Sequence, residues 1–232
     1  MPLYEEYMRQ LNKKTRQTIL GKRDYFFGSI PQEQRAQIQM DVEASYSVTE
    51  MNLAEDTTKL ILSALDSTSP ADATITDATA CVGGNTASFS KHFAKVNAVE
   101  VDETRVRMLQ NNMRVLCPKN NVTIYHGDYT NAVVHDKLPQ DIVFFDPPWG
   151  GVGYDRQSKV ELFLSGRPLV DVCRGLRGRT RLIVLKLPWN FAFDDFARRA
   201  TEDGVLWELK REKMGCKPDG NPKFVIMILG VM

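Results

Sequence analysis

From residue 73 onward, short apolar or β-branched runs alternate with stretches of helical spacing, and few folds accept that order. The runs are Ala73–Asp77, Val96–Val101, Val122–Tyr125, Ile142–Phe145 and Leu182–Leu187, with Thr86–Ala94, Glu103–Leu116 and Leu169–Leu176 carrying helical periodicity between them. Strands joined through helices pair in parallel and are buried on both faces, so they read as continuous apolar runs. The pattern predicts an α/β, Rossmann-like, doubly wound sheet. Two later runs, Val205–Lys210 and Phe224–Val231, have no convincing helix between them. They predict a terminal hairpin on the sheet edge, which makes seven strands.

Ahead of this alternation the chain changes character. Leu53, Leu60, Ile61, Ala64 and Leu65 fall on one helical face, and Ser67–Pro70 ends that helix. The first forty-odd residues are polar and basic, with one aromatic knot, Tyr25-Phe26-Phe27, before Gly28 and Pro31. They read as a helical extension over residues 1–44, a lid on the domain at 45–232. The knot fits a core anchor better than a platform for a base.

A chain of 232 residues that is 43% hydrophobic can bury one sizeable core. Thirty basic against twenty-nine acidic residues leave a net charge of +1, which excludes a globally basic nucleic-acid binder but not a local basic face. Two acid-free runs qualify: Arg9, Lys13, Lys14, Arg16, Lys22 and Arg23, and then Arg174, Arg177, Arg179, Arg181 and Lys186. Both solvated faces and phosphate contacts fit them. Cys81, Cys117, Cys173 and Cys216 form no CxxC pair, so no metal site is expected, and a reduced intracellular setting, nucleus or cytoplasm, is. His92, His126 and His135 have no nucleophile in a triad arrangement and read as structural or solvated. No apolar run is long enough to span a membrane, and Met1–Gln10 is too polar for a secretory signal.

Open parallel sheets bind ligands at the carboxyl ends of their strands, so the loops there belong together. After the first strand comes Asp77-Ala78-Thr79-Ala80-Cys81-Val82-Gly83-Gly84-Asn85-Thr86, a glycine turn into a helix; the second ends in Glu100-Val101-Asp102 and the third in Gly127-Asp128. Glycines let backbone approach a ligand, and an acid at the second strand end accepts ribose hydroxyls. No GxGxxG or GK[ST] phosphate loop is present, so this acid-lined set suits a nucleoside cofactor without phosphates.

The fourth strand ends in Asp146-Pro147-Pro148-Trp149-Gly150-Gly151. Consecutive prolines fix the backbone and remove two N–H donors, leaving carbonyls as acceptors. The Asp146 carboxylate and Pro147 carbonyl form an acceptor pair for both hydrogens of an exocyclic amine, aiming its lone pair at an electrophile.

On these residues the chain resembles class I S-adenosylmethionine-dependent methyltransferases that act on amino groups, and among them the trimethylguanosine synthases. Ser47-Val48-Thr49, Asp77 to Thr86, Asn111-Asn112, Gly127-Asp128, Pro147 to Gly151, and Leu187-Pro188 with Asn190 match the family's motifs in order, from about Tyr46 onward. Two positions depart: Asp146 stands where the family generally has Ser, a choice seen in many DNA and ribosomal-RNA amino methyltransferases, and Trp189 replaces an Arg.

The resemblance implies methyl transfer from S-adenosylmethionine, leaving S-adenosylhomocysteine, to N2 of a 7-methylguanosine cap on RNA by a monomer. It implies Thr49, Asp77, Ala78, Gly83, Asn85, Thr86, Glu100, Asp102 and Asp128 at the cofactor, Asp146, Pro147, Pro148 and Trp149 at the reaction, and Ser47, Trp149, Pro188 and Asn190 at the substrate. Asp146 is expected to orient the amine rather than serve as an obligatory base. Two other readings stay open: an amino methyltransferase acting on an internal guanine or adenine of RNA or DNA, and a catalytically silent cap- or RNA-binding module.

Overall fold

The computed structural model describes residues 2–65, 70, 72–131, 138–151, 153–202, 204 and 206–232. The extension holds helices α1 (Pro2–Gln10) and α2 (Lys13–Phe26) and the short turn α3 (Gln32–Arg35), and the short turn α4 (Ala44–Ser47) straddles its expected end at residue 44. The rest runs α5 (Met51–Ser63), β1 (Thr74–Asp77), α6 (Gly84–His92), β2 (Lys95–Glu100), α7 (Glu103–Leu116), β3 (Val122–His126) and β4 (Ile142–Phe145). A small hairpin follows, β5 (Phe163–Leu164) with β6 (Arg167–Pro168), then α8 (Leu169–Arg174), β7 (Leu182–Leu187), α9 (Phe193–Thr201), β8 (Leu206–Met214) and β9 (Phe224–Val231).

Seven strands form one sheet in the order β3-β2-β1-β4-β7-β9-β8. Strands β3, β2, β1, β4 and β7 are mutually parallel; β9 runs antiparallel between β7 and β8, so the expected edge hairpin is present. The chain goes outward from β1 to β3 and then returns to β4 on the other side of β1. That reversal opens a crevice between the carboxyl ends of β1 and β4.

Side-chain alternation divides the core between the two faces of the sheet. Val143, Phe145, Ile183, Leu185, Met227 and Leu229 pack on one, and Ile142, Phe144, Leu182, Val184, Ile226 and Ile228 on the other. Helix α7 starts where the Asp102 carboxylate accepts from Arg105 N at 2.8 Å, with Glu103 in the first turn favoured by the helix dipole. Helix α6 begins two residues earlier than the sequence suggests. Gly83, at φ +98°, turns the chain into it, and a Cβ there would come within 2.3 Å of Met113 Cε. Strand β8 continues to Met214, beyond the expected Lys210, because its pairing with β9 extends to Met214 opposite Phe224. The expected helix stop at Ser67–Ser69, along with His135 and Val205, lies outside the described residues.

The extension has its own apolar cluster, in which Ile19, Phe27, Ile38, Met40, Ala44 and Val48 meet Val82 of the glycine turn and Met108 of α7. Phe27 is the anchor of the aromatic knot, fully buried, whereas Tyr25 is 57% exposed. A buried amide adds direction to this contact. Asn112 accepts from Gln39 N at 2.8 Å and donates to Gln39 O at 2.8 Å and Val82 O at 2.9 Å. One side chain thus ties the extension to both α7 and the glycine turn.

Candidate active site

The two aspartates at the crevice are linked through backbone. Ala78 N donates to Phe144 O at 2.9 Å, and Asp146 N donates to Thr79 Oγ1 at 2.8 Å, so the loop after β4 is held against the loop after β1. Asp77 is buried and receives Thr86 Oγ1 at 2.6 Å and Thr79 N at 3.4 Å. No cation partners it among the described residues. Burial, opposed by those hydrogen bonds and reinforced by the charges of Asp146 and Glu100, pushes its carboxyl up to about 7.

Glu100, at the end of β2, accepts from Cys81 N at 2.9 Å and from Asp102 N at 2.8 Å, one on each oxygen. Its carboxylate therefore shapes the glycine turn while each oxygen retains a second acceptor position. Arg105 Nε is 3.6 Å away. Asp128, after β3, takes Thr130 N and Thr130 Oγ1 at 2.8 Å each. Burial raises its carboxyl, but bonds from Ser165 and Thr130 outweigh that and hold it below the usual range.

Asp146 faces an unanticipated partner. Lys186, in β7, donates to Asp146 Oδ2 at 2.6 Å and to Thr49 Oγ1 at 2.8 Å. Thr49 in turn accepts from Asn85 Nδ2 at 3.0 Å, and Asn85 Oδ1 is buried without a partner among the described residues. Thr49, Asn85, Asp146 and Lys186 thus form one chain of contacts joining the extension side, the glycine turn, β4 and β7. Among the described residues nothing donates to Asp146 Oδ1 or to the Pro147 carbonyl.

Trp149 is half-buried beyond the two prolines, of which Pro147 is buried and Pro148 exposed. Its ring lies edge-on to Tyr154 at 5.1 Å between centroids, and its Nε1 is buried without a partner among the described residues. Lys186 Nζ is 5.3 Å from the Trp149 centroid and 4.9 Å from that of Phe224.

The remaining expected positions fall nearby but outside this network. Pro188 is buried at the end of β7; Asn190 donates to Tyr154 O at 2.9 Å and Gln157 O at 2.7 Å, bracing the turn that carries Tyr154. Ser47 is exposed and donates to Glu43 O. Ala78 and Thr86 are buried behind Asp77. His92 bonds Glu55 and His126 the Val101 carbonyl, as structural histidines do.

The basic run ending in Lys186 does not form one solvent face. Lys186 has left it for the core, in a strand whose six residues are all buried. Periodicity treats a lysine as surface, yet a lysine inside Leu-Ile-Val-Leu-Lys-Leu was the available signal of a buried partner. The motifs that contain Thr79 and Asn112 do not reveal their partners, Asp146 N and Gln39, which lie 67 and 73 residues away.

The strand order and the acid-lined crevice at its reversal define a class I methyltransferase fold. The protein PH1948 of Pyrococcus horikoshii superposes with a TM-score of 0.56 over 96% of this chain and 100% of its own, at 15% identity, which speaks for the fold alone. A family model described as RNA cap guanine-N2 methyltransferase matches residues 72–230, and the chain belongs to that family.

An uncharacterized protein, L320, of Acanthamoeba polyphaga mimivirus is 41% identical over 125 residues, 53% of this chain and 48% of that protein. A trimethylguanosine synthase of Schizosaccharomyces pombe is 31% identical over 129 residues, 54% and 52% of the two chains. The chain spans about half the length of these curated relatives. Among the described residues no helix is long and apolar enough to cross a membrane.

Proposed function

We propose that this protein methylates N2 of the 7-methylguanosine cap of RNA, using S-adenosylmethionine, as a monomer inside the cell. The observation that carries the reading is the pair of acceptors at the sheet's reversal, Asp146 Oδ1 and the Pro147 carbonyl, neither engaged by a described residue, with a half-buried Trp149 beside them. Family membership supports it.

The donor set fits the cofactor. Among the described residues Asp77 is a buried carboxylate without a cationic partner, Glu100 keeps acceptor positions, and Asn85 presents an unpaired Oδ1. Asp77 with the turn Gly83–Asn85 holds the methionine end, where Ala78 and Thr86 back the wall. Glu100 holds the ribose, with Asp102 nearby, and Asp128 accepts from the adenine amino group. When bound, S-adenosylmethionine supplies a methyl group already activated by its sulfonium.

The chain's own task is then alignment and exclusion of water. Asp146 and Pro147 hold the amine hydrogens, Trp149 stacks on the guanine, and a 7-methylated, cationic base gains about 0.5–2 kcal/mol over a neutral one on that ring. Ser47, Pro188 and Asn190 shape the substrate side, and residues 1–44 close over it. Basic side chains of the extension meet the cap phosphates.

Mass spectrometry of a 7-methylguanosine cap analogue after incubation with protein and S-adenosylmethionine tests this: one or two methyl groups appear on N2, and none on an unmethylated cap at equal concentration. Asp146, in the place of a serine, favours a second reading, transfer to an internal guanine or adenine. Methylation of uncapped RNA that a free cap analogue fails to inhibit would establish that reading instead.

A further inference from the structure

No reading of the sequence pairs Lys186 with Asp146, and fold stability does not account for the contact. A buried ion pair contributes little net stability, because desolvating both charges offsets their attraction. Yet here the pair stands at the crevice, with the Lys186 side chain 6% and the Asp146 side chain 11% exposed. Lys186 belongs by strand parity with Leu182 and Val184, on the apolar face lined by Phe224 and Ile226, where an aliphatic residue is the ordinary occupant.

We infer that Lys186 is the positioning residue for Asp146: it binds Oδ2, balances the carboxylate's charge, and thereby presents Oδ1 to the amine that will be methylated. This rests on the function proposed above. Three features fix the direction of the device. Thr49 and Asp146 both accept from the same ammonium, so Lys186 Nζ is held from two sides rather than swinging free. Asp146 N is tied to Thr79 Oγ1, so the carboxylate pivots from a fixed backbone. The Trp149 and Phe224 rings pack around the Lys186 head.

Burial drives the Asp146 carboxyl upward, and Lys186 is the neighbour that opposes the rise. Without Lys186, Asp146 becomes a protonated, neutral acid over a wider pH range, and it can then present a donor to the incoming amine. Asp146 and Lys186 are consequently a matched unit. Asp146→Ser alone strands a buried ammonium, so the serine found elsewhere in the family is a poor substitute here unless Lys186 changes as well.

The test compares wild type, Lys186→Met, Lys186→Arg, Asp146→Ser and the double variant Lys186→Met/Asp146→Ser. Single-turnover transfer to the 7-methylguanosine cap is followed from pH 5 to 9, together with melting temperature and a carbon-13 NMR titration of the Asp146 carboxyl. Asp77 titrates in the same range, so each variant is read against wild type at the same pH. Lys186→Met should slow transfer on the order of 10²-fold near pH 6, the scale of a misplaced reacting group. The rate should recover as pH rises, with the Asp146 titration moved upward, and Lys186→Arg should restore part of the rate. The double variant should outperform Asp146→Ser.

An unmoved Asp146 titration in Lys186→Met, or a rate loss that is flat with pH and matched by the loss in melting temperature, overturns the proposal. A wild-type protein that transfers no methyl group to the cap overturns the proposed function and this role with it. Active wild type with an indifferent Lys186→Met overturns the role alone.

Discussion

Asp77 ends β1 and Asp146 follows β4, neighbouring parallel strands on either side of the sheet's reversal, and both are largely buried, but their surroundings differ in one respect. Asp146 has a cation at 2.6 Å, and Asp77 has only hydroxyl and amide donors among the described residues. A carboxylate balanced from within is suited to receive a neutral amine. One left unbalanced, with its carboxyl near 7, is suited to receive a positive charge from a ligand. On the function proposed above, the difference suits the two halves of the crevice to different guests, a cationic amino acid end by β1 and a base amine by β4.

The sharpest way to break that contrast is through pH. Asp77 carries a folded-state value raised to about 7 from an ordinary 3.8, so its neutral form is favoured by folding. The stability tied to it is fully present below about pH 4 and is lost as pH rises to about 7. A rise of that size corresponds to about 4 kcal/mol at most. Urea unfolding of wild type and Asp77→Asn should therefore diverge steadily between these limits, with wild type losing stability relative to the variant. A difference independent of pH would mean that Asp77 has a cationic partner after all.

A middle-sized effect is expected from Glu100→Ala, which should weaken S-adenosylmethionine by about 1.5–3 kcal/mol as charge-assisted bonds to the ribose are lost. Calorimetry reads it, and melting measured in parallel separates ribose contacts from the bonds to Cys81 N and Asp102 N that the same carboxylate makes. Unchanged affinity in a folded variant would move the cofactor away from β2.

The smallest effect belongs to the other half. Trp149→Ala should cost more with a 7-methylated cap than with unmethylated guanosine triphosphate, by about 0.5–2 kcal/mol. Fluorescence titration with both ligands would show it. Equal losses would mean that the ring only stacks, and the crevice would then discriminate by hydrogen bonding alone.

Much of this arrangement is legible in the sequence, for a physical reason. Strands buried on both faces and helices with one apolar stripe leave strong local patterns, so all five parallel strands and the edge hairpin fall within a few residues of where those patterns place them. The acids at the strand ends are equally visible because the fold dictates where ligands bind. Lys186 is not, since its partners Asp146 and Thr49 lie 40 and 137 residues away, and a charge is assumed to face water until a partner is known. The aromatic knot reads as a unit, but a helix end places successive side chains in different directions. Phe27 goes to the core and Tyr25 to the surface, where its hydroxyl meets Glu50 and Lys223.

The amide of Asn112 has a consequence for dynamics. Gln39 N–H is hydrogen-bonded to a side chain of α7, not to the extension's own backbone, and that side chain also grips Val82 O in the glycine turn. Exchange of the Gln39 proton with solvent then requires Asn112 to let go, which also frees the turn. The Gln39 amide thereby becomes a clock for the opening of the glycine turn, and the extension and the turn are expected to behave as a single unit of local unfolding.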